Sequence, residues 1–196
     1  MITIKEVVSK KDRKEFVNFP LKLYKNNPYF VPPIYGDELK IFTDKNAYLK
    51  TCDQVFFLAK KDGKTVGRIQ GIVQKTYNEM QNEKRIRFSR FDCIDDKEVS
   101  TALFTALENY AKQNGYDTVC GPLGYSDLER EGLLIEGFEE LSTYEEQYNY
   151  PYYQKHIEDL GYAKEVDWVE YQVMLPDEPN VKLKRVAEHS LRLSNL

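Results

Sequence analysis

The chain has 196 residues, 41% of them apolar and 31% charged, with 28 basic and 32 acidic side chains and a net charge of −4. That suffices for one ordinary domain with a real core, and the weakly acidic balance argues against a nucleic-acid or anionic-membrane binder, which would carry a basic patch. No apolar run is long enough for a membrane span, the opening Met1-Ile2-Thr3-Ile4-Lys5-Glu6 lacks the regions of a signal peptide, and three widely spaced cysteines (Cys52, Cys93 and Cys120) read as reduced thiols, so a cytoplasmic location is expected.

Alternation of Ile2, Ile4 and Val7 predicts a first strand within Met1–Val8. Ser9 is placed to cap a helix over Lys11–Lys25 with Phe16, Phe19, Leu23 and Tyr24 inward, stopped by Asn26-Asn27-Pro28. Phe30-Val31-Pro32-Pro33 reads as an extended linker and Asp37–Phe42 as a short helix. Gln54–Lys60 and Thr65–Lys75 form a hairpin around Asp62-Gly63, and Arg85–Cys93 is the next strand. Lys97–Asn114 is the strongest helix, with Val99, Ala102, Leu103, Ala106, Leu107, Tyr110 and Ala111 on one stripe and Asn114-Gly115 at its end. Thr118–Cys120 is a short strand, and Leu123–Tyr150 is irregular and rich in acids and tyrosine. Pro151–Leu160 is a helix ended by Gly161, Trp168–Leu175 alternates as a last strand, Pro176–Pro179 is a linker, and Lys182–Leu193 begins another helix. Three consecutive strands between helices require a mixed sheet of α/β (α+β) class, with 1–175 as the domain and 176–196 as linker and further helix.

The junction from Arg87 to Glu98 carries a conflict. A strand running into a helix start is where many folds hold a phosphate, because free N–H groups and the positive helix end favour an anion. Here that start carries Asp95, Asp96 and Glu98 and no glycine. Asp95 or Asp96 is a good N-cap, and its carboxylate would occupy the N–H groups that a phosphate needs.

The element order, the endings Asn114-Gly115-Tyr116 and Leu160-Gly161-Tyr162, and the segments Phe57-Leu58-Ala59, Asp62-Gly63, Val66-Gly67-Arg68-Ile69, Asn78-Glu79, Asp96-Lys97-Glu98-Val99, Ala102-Leu103-Phe104, Gly121-Pro122, Gly132-Leu133-Leu134-Ile135-Glu136-Gly137-Phe138 and Tyr148-Asn149-Tyr150-Pro151-Tyr152-Tyr153 together resemble the GNAT (N-acetyltransferase) superfamily. The likeness is to the N-terminal half of a little-characterised bacterial GNAT-like family and covers roughly residues 10–175. It implies a central mixed, mostly antiparallel sheet flanked by helices. It also implies a cleft between Arg85–Cys93 and Thr118–Cys120 for acetyl-CoA or another acyl-CoA, against Phe91, Asp92, Cys93, Ile94, Val99 and Asn149. The usual pyrophosphate loop of that superfamily is absent near Ile94–Val99.

The chemistry so implied moves an acyl group from the thioester to a small-molecule or peptide amine, with a base for the amine and an acid for the leaving thiolate. Tyr152 or Tyr153 is placed for the acid and Glu131 or Glu136 for the base; read from the residues alone, the tyrosines here (Tyr125, Tyr144, Tyr148, Tyr150, Tyr152, Tyr153) also suit packing, and the glutamates a surface. Arg68 reads as a surface cross-strand pair, with contact to an anionic ligand as the alternative, and Cys93 and Cys120 as buried thiols, while Arg85 and Arg87 share a solvent-facing side. With only His156 and His189, no metal site is expected. Two other readings stay open: a degenerate GNAT-fold module binding a small ligand or peptide, and a half-domain acting by dimerisation, as a homodimer or with a partner half.

Overall fold

The Asp62-Gly63 turn sets the frame of the sheet. Both residues take positive φ, 51° and 78°, as a two-residue hairpin turn requires. They join β2 (Cys52–Lys61) to β3 (Lys64–Gln74) in antiparallel register, with Phe57 opposite Ile69 and Leu58 opposite Arg68. Outside β2 lies β1 (Ile2–Glu6), antiparallel, and outside β3 lies β4 (Arg85–Cys93), also antiparallel. The last strand, β5 (Thr118–Cys120), runs parallel to β4. The sheet is therefore mixed, as the sequence predicts, and its strands lie in the order β1-β2-β3-β4-β5. In this computed structural model the described residues are 1–143, 146–174 and 180–194, in two units, Met1–Ala163 and Lys164–Leu196. Among them no helix is long and apolar enough to cross a membrane.

Helix α1 (Lys10–Leu23) starts in a capping box: Ser9 Oγ accepts from the Asp12 N–H and the Asp12 carboxylate accepts from the Ser9 N–H, both at 3.2 Å. It ends two residues sooner than predicted, at the C-cap Tyr24. Helix α2 (Tyr35–Lys40) begins two residues before its predicted start, and a 3-10 turn follows at Ala47–Lys50. Helix α3 (Lys75–Gln81) is not apparent in the sequence, because it buries no residue and so leaves no apolar stripe to read.

Helix α4 (Lys97–Gln113) packs directly on β3. A Cβ at Gly71 would lie 2.5 Å from Leu107 Cδ1, and one at Gly67 2.8 Å from Leu103 Cδ1, so the two glycines let the helix settle onto the strand. Val99, Leu103, Phe104, Leu107 and Ala111 close the main core against Val55, Phe57, Ile69, Ile86 and Phe88. On the opposite face Phe16 of α1 packs with Phe56, Leu58 and Ile41. Helix α5 (Tyr152–Asp159) contributes Tyr153 and Ile157 to the main core.

The second unit carries α6 (Val181–Leu193), capped by the side chain of Asn180. The predicted strand over Trp168–Leu175 does not form: residues 168–174 join no ladder among the described residues. Alternation supplies a face, but a strand also needs a neighbour to take its N–H and C=O groups. Leu175, Tyr144 and the Pro176–Pro179 linker lie outside the described residues.

Candidate functional site

The site originates in one irregularity of β4. Its register with β3 shifts between Arg68 and Gln70, and Arg90 there has φ 44°, a left-handed conformation that marks a bulge. Ser89 lies opposite Gln70 and Asp92 opposite Arg68, so the bulge brings Ser89 and Asp92 onto the α1 side of the sheet. Beyond Arg87, whose partner is Cys120, β4 loses β5; the Leu123 N–H still bonds the Phe88 carbonyl at 2.9 Å. The edge of β4 from Phe91 to Cys93 is thus left without a strand beside it.

On the α1 side of this bulge lies a cavity of about 530 Å³. One wall is apolar, formed by Pro20, Ile34, Ile41 and the Phe30–Pro33 segment that the sequence marks as a linker. The rest is polar: Asp37 and Glu38 of α2, Arg68, Ser89, Arg90 and Asp92 of the sheet, and Glu129, Arg130, Gln147 and Tyr148 of the irregular segment.

Two ion pairs organise the polar part. Arg68 Nε donates to Asp92 Oδ2 at 2.7 Å and its Nη1 to the Phe16 carbonyl at 3.0 Å, with both side chains almost wholly buried. The Tyr24 hydroxyl donates to Asp92 Oδ1 at 2.9 Å and meets the Tyr153 hydroxyl at 2.9 Å. Burial pushes the Asp92 carboxyl above its ordinary value, against the opposing pull of Arg68 and the bonds from Tyr24 and Tyr153. Arg90 forks onto Glu38, Nε to Oε2 and Nη2 to Oε1, each at 3.0 Å, and its Nη1 donates to Gln70 Oε1 at 2.8 Å. Burial works against the Glu38 charge, yet Arg90 holds that carboxyl below its ordinary value.

The free edge of β4 already has partners. The Cys93 N–H donates to the Tyr153 hydroxyl at 3.0 Å, the Tyr152 hydroxyl donates to the Cys93 carbonyl at 2.7 Å, and Gln147 Nε2 reaches the Phe91 carbonyl at 3.4 Å. A pantetheine arm pairing with this edge must displace those side chains. At the start of α4, Asp96 Oδ1 takes the Glu98 N–H at 3.0 Å and Asp96 Oδ2 holds Lys61 Nζ at 2.8 Å. Asp95 Oδ1 lies 3.3 Å from His156 Nε2, and Lys97 Nζ is bonded to Asp159 at 2.9 Å. The cations nearest this helix start are engaged by carboxylates, and the residues present do not fit the pyrophosphate of a coenzyme A.

The residues singled out in the sequence fall into three places. Phe91, Cys93 and Val99 are in the main core, with burial raising the Cys93 thiol well above its ordinary range; Ile94 donates its N–H to the Val66 carbonyl at 3.0 Å. Tyr152, Tyr153 and Asp92 meet at the end of β4, where burial first of all raises both phenols. Asn149 ties down its own loop, accepting from the Leu134 N–H at 2.8 Å and donating to the Leu134 carbonyl at 3.0 Å. Glu131 bridges to Glu146 beside that loop, and Glu136 is exposed. Neither glutamate lines the cavity.

Arg68 is not on the surface as expected: it is the cross-strand partner of Asp92, inside. Arg87 lies over the Tyr77 ring and bonds the Gly124 carbonyl, half-buried rather than solvated, and Cys120 is half-buried. Glu38, Arg90 and Glu129 carry no mark in the sequence, since the bulge that turns Arg90 inward is invisible to period-two alternation.

Structural comparison settles the architecture. A tandem GNAT protein from the clavulanic acid biosynthesis pathway aligns with TM-score 0.55 and 11% identity, covering 82% of this chain and 43% of that one. A predicted acetyltransferase from Clostridium acetobutylicum, solved with acetyl-CoA, aligns at TM-score 0.52 with 12% identity over 88% of this chain and 96% of that one. The fold is that of the GNAT acyltransferases. An aminoglycoside acetyltransferase from an uncultured soil metagenomic sample, in complex with sisomicin, aligns at 0.52 with 12% identity, covering 89% and 97%. In sequence, Protein YghO of Escherichia coli (strain K12) is 32% identical over 174 residues, which are 89% of this chain and 45% of that protein. A bacterial ceramide synthase of Caulobacter vibrioides is 28% identical over 176 residues, 88% and 46% respectively. The chain spans less than half the length of these curated relatives. No protein-family model matches it.

Proposed function

We propose that this chain forms an amide by moving an acyl group from a thioester to an amine. The observation that carries the reading is the position of the 530 Å³ cavity, which opens on the α1 side at the bulge where the β4 edge becomes free. The amine occupies the cavity. Its nitrogen approaches Asp92, whose carboxyl burial raises toward a basic role. Tyr152, half-buried on the Cys93 carbonyl, is the acid candidate at the edge; Tyr153, wholly buried, holds the Cys93 N–H and positions that end of β4. The name of the Caulobacter relative supports amide formation on an amine with an apolar body, which the Phe30–Ile34 wall suits.

A second reading, a binding module on the same fold, draws on the capped β4 edge and on the carboxylates at the α4 start. Incubating the chain with octanoyl-CoA and octylamine, with mass-spectrometric detection of N-octyloctanamide, separates the two. Enzyme-dependent amide supports transfer; its absence, with retained amine binding by calorimetry, supports the module.

A further inference from the structure

Helix α5 holds a buried acceptor with nothing to accept. His156 is 6% exposed, its Nε2 faces Asp95 Oδ1 at 3.3 Å, and its Nδ1 has no hydrogen-bond partner among the described residues. A carboxylate beside Nε2 favours the tautomer with the proton there, which leaves a bare lone pair on Nδ1. A buried polar atom in that state carries a standing cost and calls for an explanation.

The hydroxyl able to reach it is that of Tyr152. Tyr152 sits one helical turn before His156 on α5, and the two ring centroids are 5.2 Å apart. In the structure that hydroxyl is spent on the Cys93 carbonyl at 2.7 Å, while Gln147 Nε2 covers the Phe91 carbonyl at 3.4 Å. Tyr153, the other phenol on this edge, is fixed: it is wholly buried, meets the Tyr24 hydroxyl at 2.9 Å and accepts from the Cys93 N–H at 3.0 Å. Tyr152 and Gln147 are only half-buried and can turn away.

We propose that Tyr152 is a latch with two positions, closed on the Cys93 carbonyl and open on His156 Nδ1, and that an amide-bearing thioester arm opens it. The proposal rests on the transfer reading above only in placing the arm along the β4 edge. An arm that pairs there gives its own N–H groups to the Phe91 and Cys93 carbonyls. Gln147 then turns to solvent, and Tyr152 exchanges one acceptor for another. The phenol keeps its bond and Nδ1 gains one, so opening is close to balanced and the contacts of the arm decide it. Without His156 the displaced hydroxyl would have no acceptor at hand. The latch also orders the steps, because the phenol can turn to a departing sulfur only after the arm has freed it from the carbonyl.

Calorimetry with pantetheine tests this with no acyl group or amine present, so the result does not depend on turnover. Tyr152→Phe removes the lock and is expected to bind pantetheine about tenfold more tightly than the wild type, the worth of a neutral hydrogen bond. His156→Phe is expected to bind it more weakly than the wild type. In the Tyr152→Phe background the same His156→Phe change is expected to have no effect, since no displaced hydroxyl then needs an acceptor. Gln147→Ala, outside α5, is expected to tighten binding and keeps the test open where an α5 variant fails to fold. Unchanged or weaker binding in Tyr152→Phe or Gln147→Ala, an equal loss from His156→Phe in both backgrounds, or no pantetheine binding by any of these variants overturns the proposal. A failure of the transfer reading alone shows as this pattern of affinities without amide from octanoyl-CoA and octylamine.

Discussion

Arg68 and Asp92 face each other across β3 and β4, and their side chains meet at 2.7 Å with almost no access to solvent. The pair joins the cavity floor to the hydroxyls of Tyr24 and Tyr153, so one buried ion pair ties α1, β3, β4 and α5 at the point where the β4 edge becomes free.

Removing one partner strands the other charge in the interior. Arg68→Met is expected to lower the unfolding free energy by about 3–5 kcal/mol, while Arg68→Met with Asp92→Leu recovers most of the loss. Urea unfolding of the two variants and the wild type reads this directly. A double variant as unstable as the single one would show that the pair is needed for more than its mutual charge.

Gly71 and Gly36 make an opposed pair. A Cβ at Gly71 collides with Leu107 and Val55, so Gly71→Ala is expected to cost about 1–3 kcal/mol through overpacking. Nothing lies within 4 Å of a Cβ at Gly36, which sits in α2, so Gly36→Ala is expected to stabilise by about 0.5–1 kcal/mol. Thermal midpoints moving in opposite directions would bear out the close seating of α4 on β3.

Acid stability follows from the α1 cap. The bond from Lys5, with those from Ser9, lowers the Asp12 carboxyl from 3.8 to about 2. A carboxyl lowered in the folded state adds stability above its unfolded value and loses it as pH falls through the folded one. The gap in thermal midpoint between wild type and Asp12→Asn is therefore expected to be full at pH 6, to narrow below about pH 4 and to be nearly gone at about pH 2. A gap that is unchanged down to pH 2 would contradict the capping geometry.

Thiol reactivity should follow burial. Desolvation raises Cys93 and Cys52, while Cys120 is half-buried at the end of the parallel pair. Iodoacetamide at pH 8 is expected to label Cys120 first and Cys93 last, as read by peptide mass mapping. Early labelling of Cys93 would mean that the end of β4 opens readily.

Much of the fold was legible. Asp62-Gly63 announced the hairpin, Ser9 and the Asp95-Asp96 pair announced their helix starts, and the Val99–Ala111 stripe announced α4, because caps, turns and amphipathic stripes act locally. The acidic helix start was equally plain, and Asp96 does occupy an N–H there. The cavity was not legible. Arg90 turns inward only because of a bulge, Glu38 sits on a short helix that buries no residue by itself, and Arg68 looks like a surface charge until Asp92 is placed opposite it. The Trp168–Leu175 alternation misled for the converse reason: a period-two pattern records a face and says nothing of a partner strand.

We propose that this chain makes amides from thioesters without reading the phosphates of the donor. Initial rates with octanoyl-CoA and with S-octanoyl-pantetheine, against the same amine, test it most directly. Amide is expected from both donors, with kcat/KM values within about tenfold, since each phosphate would meet the carboxylates of Asp95, Asp96 and Glu98. Amide from neither donor would contradict the claim of acyl transfer, and a preference of a hundredfold or more for the coenzyme A ester would contradict the reading of the α4 start.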